Sequence, residues 1–233
     1  MVQLLSNQHK VVIHQTLNLL GLGIFLSYPM MVGFDLLFLS TTFIGILISN
    51  LVNSAYYHRC LTHKSWKAPT WMHYVFLILG AAFLMLPAIG WVAVHREHHK
   101  FYDTDKDPHG PSRGFFVNLF TSMIEPKLRY MRKEIRNDKL LWQVKYYWWI
   151  AIANFIFLTY FFNIASYFLL IGYIYLSILL VNFLGHYRKL NNYHLPSLFL
   201  AGELYHKNHH EDQTNPKFGM FDLPYYLLIK WFL

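Results

Sequence analysis

The side chains in this chain that could do chemistry are histidines. Of fourteen, nine fall into four clusters. His58 and His63 lie in HRCLTH, and His95, His98 and His99 in HREHH. His186 ends NFLGH, which also holds Asn182, and His206, His209 and His210 lie in HKNHH. Imidazole is the commonest metal-binding side chain. Two clusters share the spacing H-x-x-H-H, and positions i, i+3 and i+4 lie on one face of a helix. Each such triad is expected to aim three ring nitrogens at one place. Nine converging imidazoles are too many for one ion and about right for two. His58 and His63 are five apart, about 500° around an α-helix, so the helix is expected to end or unwind between them. His9, His14, His73 and His194 stand alone and read as hydrogen-bonded structural residues.

A structural zinc site is closed by four ligands, often thiolates, and Cys60 is the only cysteine. Affinity order alone selects no metal. Nine imidazoles without clustered thiols suit a redox pair with an open coordination position. Iron with dioxygen fits a water-poor setting and an apolar substrate. Glu97, Asp103, Asp107 and Glu203 are candidates to orient ligand imidazoles through the second ring nitrogen.

Membrane-spanning elements must position these clusters. Only 14% of the 233 residues are charged and 55% are hydrophobic, against ~25% charged in an average soluble domain. From Val11 to Tyr57 the only charge is Asp35, and from Tyr146 to Tyr187 there is none. A hydrocarbon core of ~30 Å takes roughly 20 helical residues, so each stretch is long enough for two crossings. The expected fold is all-α and integral to the membrane, a single domain over 1–233. Two hairpins supply four transmembrane helices, about 11–32 with 37–57 and about 146–162 with 166–186. A helical cap, about 58–145 and 187–233, holds the dimetal site. The first apolar segment is too long for a cleavable signal peptide, and no small-residue cleavage site follows it.

All 20 Lys and Arg lie outside the hairpins. The positive-inside rule therefore makes the cap and both termini cytoplasmic. The charge-free run 68–94 is long enough to cross. A crossing would separate His58 and His63 from His95, and would export ten Lys and Arg between 96 and 139. Pro87 and Gly90 interrupt it, so it is expected to lie at or dip into the interface. The mixed-charge stretch KLRYMRKEIRNDK reads as a solvated helix face, or as a surface for headgroups or an electron donor. The net charge of +8 fits anionic membrane lipids and not nucleic acid, because no basic run is interleaved with aromatics.

HRCLTHKSW, HREHHKFYDTDKDPHGPSRGFF, NFLGH and GELYHKNHH together resemble the membrane fatty acyl desaturases of the stearoyl-CoA desaturase-like Δ9 group. The similarity runs from about residue 50 to the C-terminus. It implies a non-haem di-iron centre reached by a narrow, bent acyl tunnel. There, dioxygen and two electrons would remove two hydrogens from an unactivated methylene pair, leaving a cis double bond, expected at Δ9. The nine clustered histidines match the family's metal ligands. Asn182 matches a residue that holds a metal through water, and Trp91 matches a tryptophan lining the tunnel.

Three departures count. Ala93 and Val94 stand where animal acyl-CoA enzymes carry an Arg-Asp pair, which favours an acyl chain on a glycerolipid over acyl-CoA. Leu204 replaces a glycine. No haem-binding His-Pro-Gly-Gly signature appears, so electrons are expected from a separate ferredoxin or cytochrome b5. A bacterial plasma membrane is favoured over the endoplasmic reticulum. Two alternatives stay open: a fatty acid or alkane hydroxylase on the same scaffold, and a metal-binding membrane protein without redox chemistry.

Overall fold

The computed structural model describes residues 8–108, 114, 130, 134–186 and 190–233. Its helices are α1 (Gln8–Met31), α2 (Leu36–Ile48), a π-helical segment (Ser49–His63), α3 (Thr70–Ala82), α4 (Ala88–Phe101), α5 (Asp138–Phe161), α6 (Ile164–His186), α7 (His194–Ser197), α8 (His206–Glu211) and α9 (Leu223–Leu227). No strand occurs among the described residues, where one isolated bridge pairs Asn192 with Tyr205. The run from His109 through RGFF apart from Gly114, and residues 127–129 and 131–133 of the mixed-charge stretch, lie outside the described residues.

Among the described residues, three helices are long and apolar enough to cross a membrane: Lys10–Met31, Leu36–His63 and Ile164–His186. The only charge between the first two, Asp35, sits at their turn. Its carboxylate caps α2 by accepting from Phe38 N at 2.8 Å, and also accepts the Tyr28 hydroxyl at 2.9 Å. α6 is the central span, with 67% of its apolar 18-residue stretch buried against 28% and 33% for the others. The 24-residue α5 is also long, but Tyr146, Tyr147, Trp148, Trp149 and Asn154 dilute its apolar character. It buries Leu140, Gln143, Tyr147 and Ala151 at helical spacing. Trp149, Ile152, Ile156 and Tyr160 are exposed.

The run 68–94 does not form one continuous helix. α3 has 13 residues, about 20 Å at 1.5 Å per residue, short of a hydrocarbon core. Leu84 takes a left-handed φ of 51° and Pro87 caps α4. Carbonyls freed at such a break need partners, and side chains supply them. Asn154 Nδ2 donates to Ala82 O at 2.9 Å and Asn18 Nδ2 to Leu84 O at 3.3 Å. The Tyr147 hydroxyl donates to Met85 O. α1 and α5 thus stabilise the bend that turns α4 back toward the other histidines.

α1 and α6 meet through small residues, as packing within lipid favours. A Cβ on Gly172 would lie 2.2 Å from Gly21 O. Gly172→Leu should therefore force the two spans apart and destabilise the fold by about 1–3 kcal/mol. Thermal unfolding in detergent measures this, with Gly23→Ala, at a position open to space, as the control.

Candidate metal centre

The helical repeat of about 100° per residue puts i+4 about 40° to one side of i, and i+3 about 60° to the other. Each H-x-x-H-H box therefore splits. His58, His63, His95, His99 and His209 form one group of converging nitrogens, and His98, His186, His206 and His210 form a second, each within 4.8 Å. α4 gives its i, i+4 pair to the first group and His98 to the second. α8 does the reverse, giving His206 and His210 to the second group and His209 to the first. This corrects the expectation that each triad aims at one point. The groups adjoin, with the His99 and His210 rings 4.5 Å apart.

The helix carrying His58 and His63 neither ends nor unwinds between them. It widens into a π-helix over Ser49–His63, whose i→i+5 bonding brings residues five apart close to one turn of each other. Lys64 N closes the segment on Arg59 O, with Lys64 itself at φ 57°. The His58 and His63 rings come within 4.9 Å.

All nine imidazoles meet through Nε2. In the first group the contacts are His58–His209 at 2.9 Å, His63–His95 at 3.2 Å, His95–His99 at 2.9 Å and His99–His209 at 2.9 Å. In the second they are His98–His186 at 3.0 Å, His186–His206 at 2.8 Å and His206–His210 at 3.1 Å. With metal–nitrogen bonds of about 2.1 Å, right-angled ligands sit about 3.0 Å apart and tetrahedral ones about 3.4 Å. The observed edges are short enough for both nitrogens of each pair to reach one ion.

Carboxylates and a carbonyl hold the opposite nitrogens. His58 Nδ1 lies 2.7 Å from Glu203 Oε2, His98 Nδ1 2.9 Å from Asp107 Oδ1, and His186 Nδ1 2.9 Å from Asp103 Oδ1. His206 Nδ1 lies 3.1 Å from Glu203 O. A ring that donates through Nδ1 to a carboxylate carries a lone pair on Nε2 when neutral. His98 and His186 then present two lone pairs to each other at 3.0 Å, which a cation between them resolves. Burial, then neighbouring imidazoles, holds His209 and His95 well below the usual histidine range, and burial takes His206 down to about 3. Neutral rings with free lone pairs are the form that binds metal. Glu97 is buried on α4, about 160° around the helix from His95 and His99 and about 100° from His98.

Glu203 belongs to a larger network absent from the sequence reading. It accepts from Ser54 Oγ, and Arg59 Nη2 lies 3.8 Å from its Oε1. Arg59 is fully buried, pairs with Asp222 at 2.8 Å and lies 3.7 Å over the Phe218 ring. Asp222 in turn accepts from Phe218 N and Tyr225 N. The available signal was an arginine inside a histidine box, on a helix that has to be dry. Burial raises Glu203 above the usual carboxylate range despite the opposing Arg59 and Ser54.

A cavity of about 60 Å³ touches both groups and is walled by Asn53, Leu86, Trp91, Tyr175, Ile178 and Asn182. Trp91 stacks on His95 at 4.8 Å. Val94 also lines it, whereas Ala93 is buried against Ile89, Tyr130 and Val144. Outside both groups, His14, His73 and His194 pair with Tyr147, Tyr56 and Tyr205 at 2.8, 2.7 and 3.3 Å. His9 is a side chain outside the described set.

No family model matches the chain. Among curated proteins it is similar to Delta-9 desaturase-like 3 protein of Arabidopsis thaliana, 31% identical over 79% of this chain and 69% of the relative. It is 30% identical to sn-1 stearoyl-lipid 9-desaturase of Anabaena variabilis, over 70% of this chain and 67% of that protein. It is also 30% identical to Delta-9 acyl-lipid desaturase 1 of Arabidopsis thaliana, over 74% of this chain. The chain spans 65% of that relative's length.

Removing one partner of a buried ion pair costs about 3–5 kcal/mol, because the other charge is stranded. Arg59→Met strands Asp222 and Glu203, and should lower stability by that amount in thermal or denaturant unfolding. Exposed Lys100→Met should change it by less than about 0.5 kcal/mol.

Proposed function

The chain belongs to the membrane fatty acid desaturases, and we propose that it places a cis double bond at Δ9 in a saturated acyl chain carried by a glycerolipid. One observation carries the reading. Nine imidazoles present Nε2 to two adjoining points, and an apolar cavity opens on both. The names of the Arabidopsis and Anabaena relatives, an acyl-lipid and a stearoyl-lipid desaturase, support the lipid carrier. So do Ala93 and Val94, which offer no charge to a CoA phosphate.

His58, His63, His95, His99 and His209 would hold one iron, and His98, His186, His206 and His210 the other, with Asn182 reaching it through water. Two iron ions bound there would supply the dioxygen chemistry that removes two hydrogens, with two electrons from a ferredoxin or cytochrome b5. The protein's part is positioning and exclusion. Trp91, Leu86 and Ile178 form apolar walls that exclude water and hold one methylene pair beside both groups, so little reorganisation remains at reaction. Glu203, Asp107 and Asp103 keep the Nδ1 protons of His58, His98 and His186, fixing the tautomer whose Nε2 faces the metal.

In the proposed topology α5 is the fourth crossing. Both termini and the histidine-bearing cap then face the cytoplasm of a bacterium. All Lys and Arg outside the hairpins support this orientation.

The test is the fatty-acid profile of bacterial membranes containing the intact chain, with lipid classes separated. New Δ9 monoenes should appear, directly in glycerolipid after a labelled-lipid chase. His98→Ala or His209→Ala should abolish them, while His194→Ala retains most activity. Oxygenated products in place of monoenes, from inserted, iron-loaded protein with a donor supplied, would transfer the assignment to hydroxylation.

A further inference from the structure

Gln143 on α5 is fully buried, and one amide group there joins four elements. Its Oε1 accepts from Ala88 N at 2.7 Å, the first N–H of α4, which has no partner within its own helix. Its Nε2 donates to the Tyr57 hydroxyl at 2.7 Å and to Leu77 O at 2.8 Å. Both N–H groups and the carbonyl are thereby used. Tyr57 immediately precedes His58 on the π-helical segment. Ala88 begins the helix that carries Trp91, His95, His98 and His99. The amide therefore ties the two arms that present these ligands.

The surrounding rings carry that tie to the site. Tyr57 lies 6.1 Å from Trp91, which lies 5.7 Å from His58 and stacks on His95 at 4.8 Å. Gly80 on α3 leaves the space the Tyr57 hydroxyl occupies, since a Cβ there would lie 2.0 Å from it. Glutamate at 143 would lose both donors, asparagine would fall short, and leucine would leave the Ala88 N–H and the Tyr57 hydroxyl without this partner.

Resting on the desaturase reading, we infer that Gln143 is a positioning residue that sets the spacing of the π-helical and α4 arms, and with it which methylene pair of the acyl chain faces the histidine groups. A misplacement of about 1 Å can cost about a hundredfold in rate, and neighbouring methylenes are separated by a comparable distance. Loosening the tie therefore both slows the reaction and spreads it along the chain.

The experiment compares Tyr57→Phe, which removes one hydrogen bond with little change of shape, with Gln143→Leu and Gly80→Ala. Three quantities are read: the positions of the double bonds in the product, metal per chain, and X-ray absorption at the metal edge of the iron-loaded protein. Tyr57→Phe should keep its metal and insert normally. Its monoene yield per folded protein should fall about tenfold or more, with a second positional isomer absent from wild type, and its metal–nitrogen distances should shift. Gln143→Leu should show the same pattern more strongly, and Gly80→Ala should reproduce it from the other side of Tyr57. An unchanged isomer pattern and unchanged absorption spectrum in Tyr57→Phe, with yield lost only in proportion to folded protein, would overturn the inference. Wild-type protein that makes no monoene would instead overturn the desaturase reading, and the absorption spectra would still decide whether Gln143 sets the ligand geometry.

Discussion

Two neutral imidazoles that face each other through Nε2 repel unless something positive lies between them. His98 and His186 stand in this relation at 3.0 Å, each with its other nitrogen against a carboxylate. The constraint recurs between His186 and His206 at 2.8 Å, where His206 Nδ1 faces a backbone carbonyl, in a protein whose interior is too apolar to solvate nine polar rings. Much of the architecture answers it. α4 must reverse at Pro87 to bring its histidines back, and the π-helical segment must widen to bring His58 and His63 together. The tail must fold over the site, where Asp222 balances the buried Arg59 beside His58.

The crossing of the histidine boxes follows from helical geometry and has a mechanical consequence. Because α4 and α8 each contribute to both groups, neither group can form without both helices in register. Two separate ion sites become one cooperative unit. Its second layer is equally shared, since Glu203 holds His58 of one group through its carboxylate and His206 of the other through its backbone carbonyl. Displacing any one arm therefore disturbs both positions.

Much of this was legible in the residues. The charge-free runs marked α1, α2 and α6, Asp35 marked their turn, and the clusters named the side chains that converge. Asp103, Asp107 and Glu203 were legible because carboxylates close in sequence or space to metal-binding histidines have a known use. What was illegible depended on distance in the chain. The division of each triad depends on where the partner helix sits, and the π-helical widening on tertiary packing that overrides local preference. Arg59 pairs with Asp222 across 163 positions, and Gln143 meets Tyr57 across 86. The aromatic content of α5 blurs the span its length suggests.

The central claim is that nine nitrogens define two adjoining ion positions, each fed by both boxes. Anomalous scattering at the iron edge from crystals of the iron-loaded protein tests it most directly. Two peaks are predicted, one enclosed by His58, His63, His95, His99 and His209, the other by His98, His186, His206 and His210. A single peak shared by all nine, or two peaks each enclosed by one intact H-x-x-H-H triad, would contradict it.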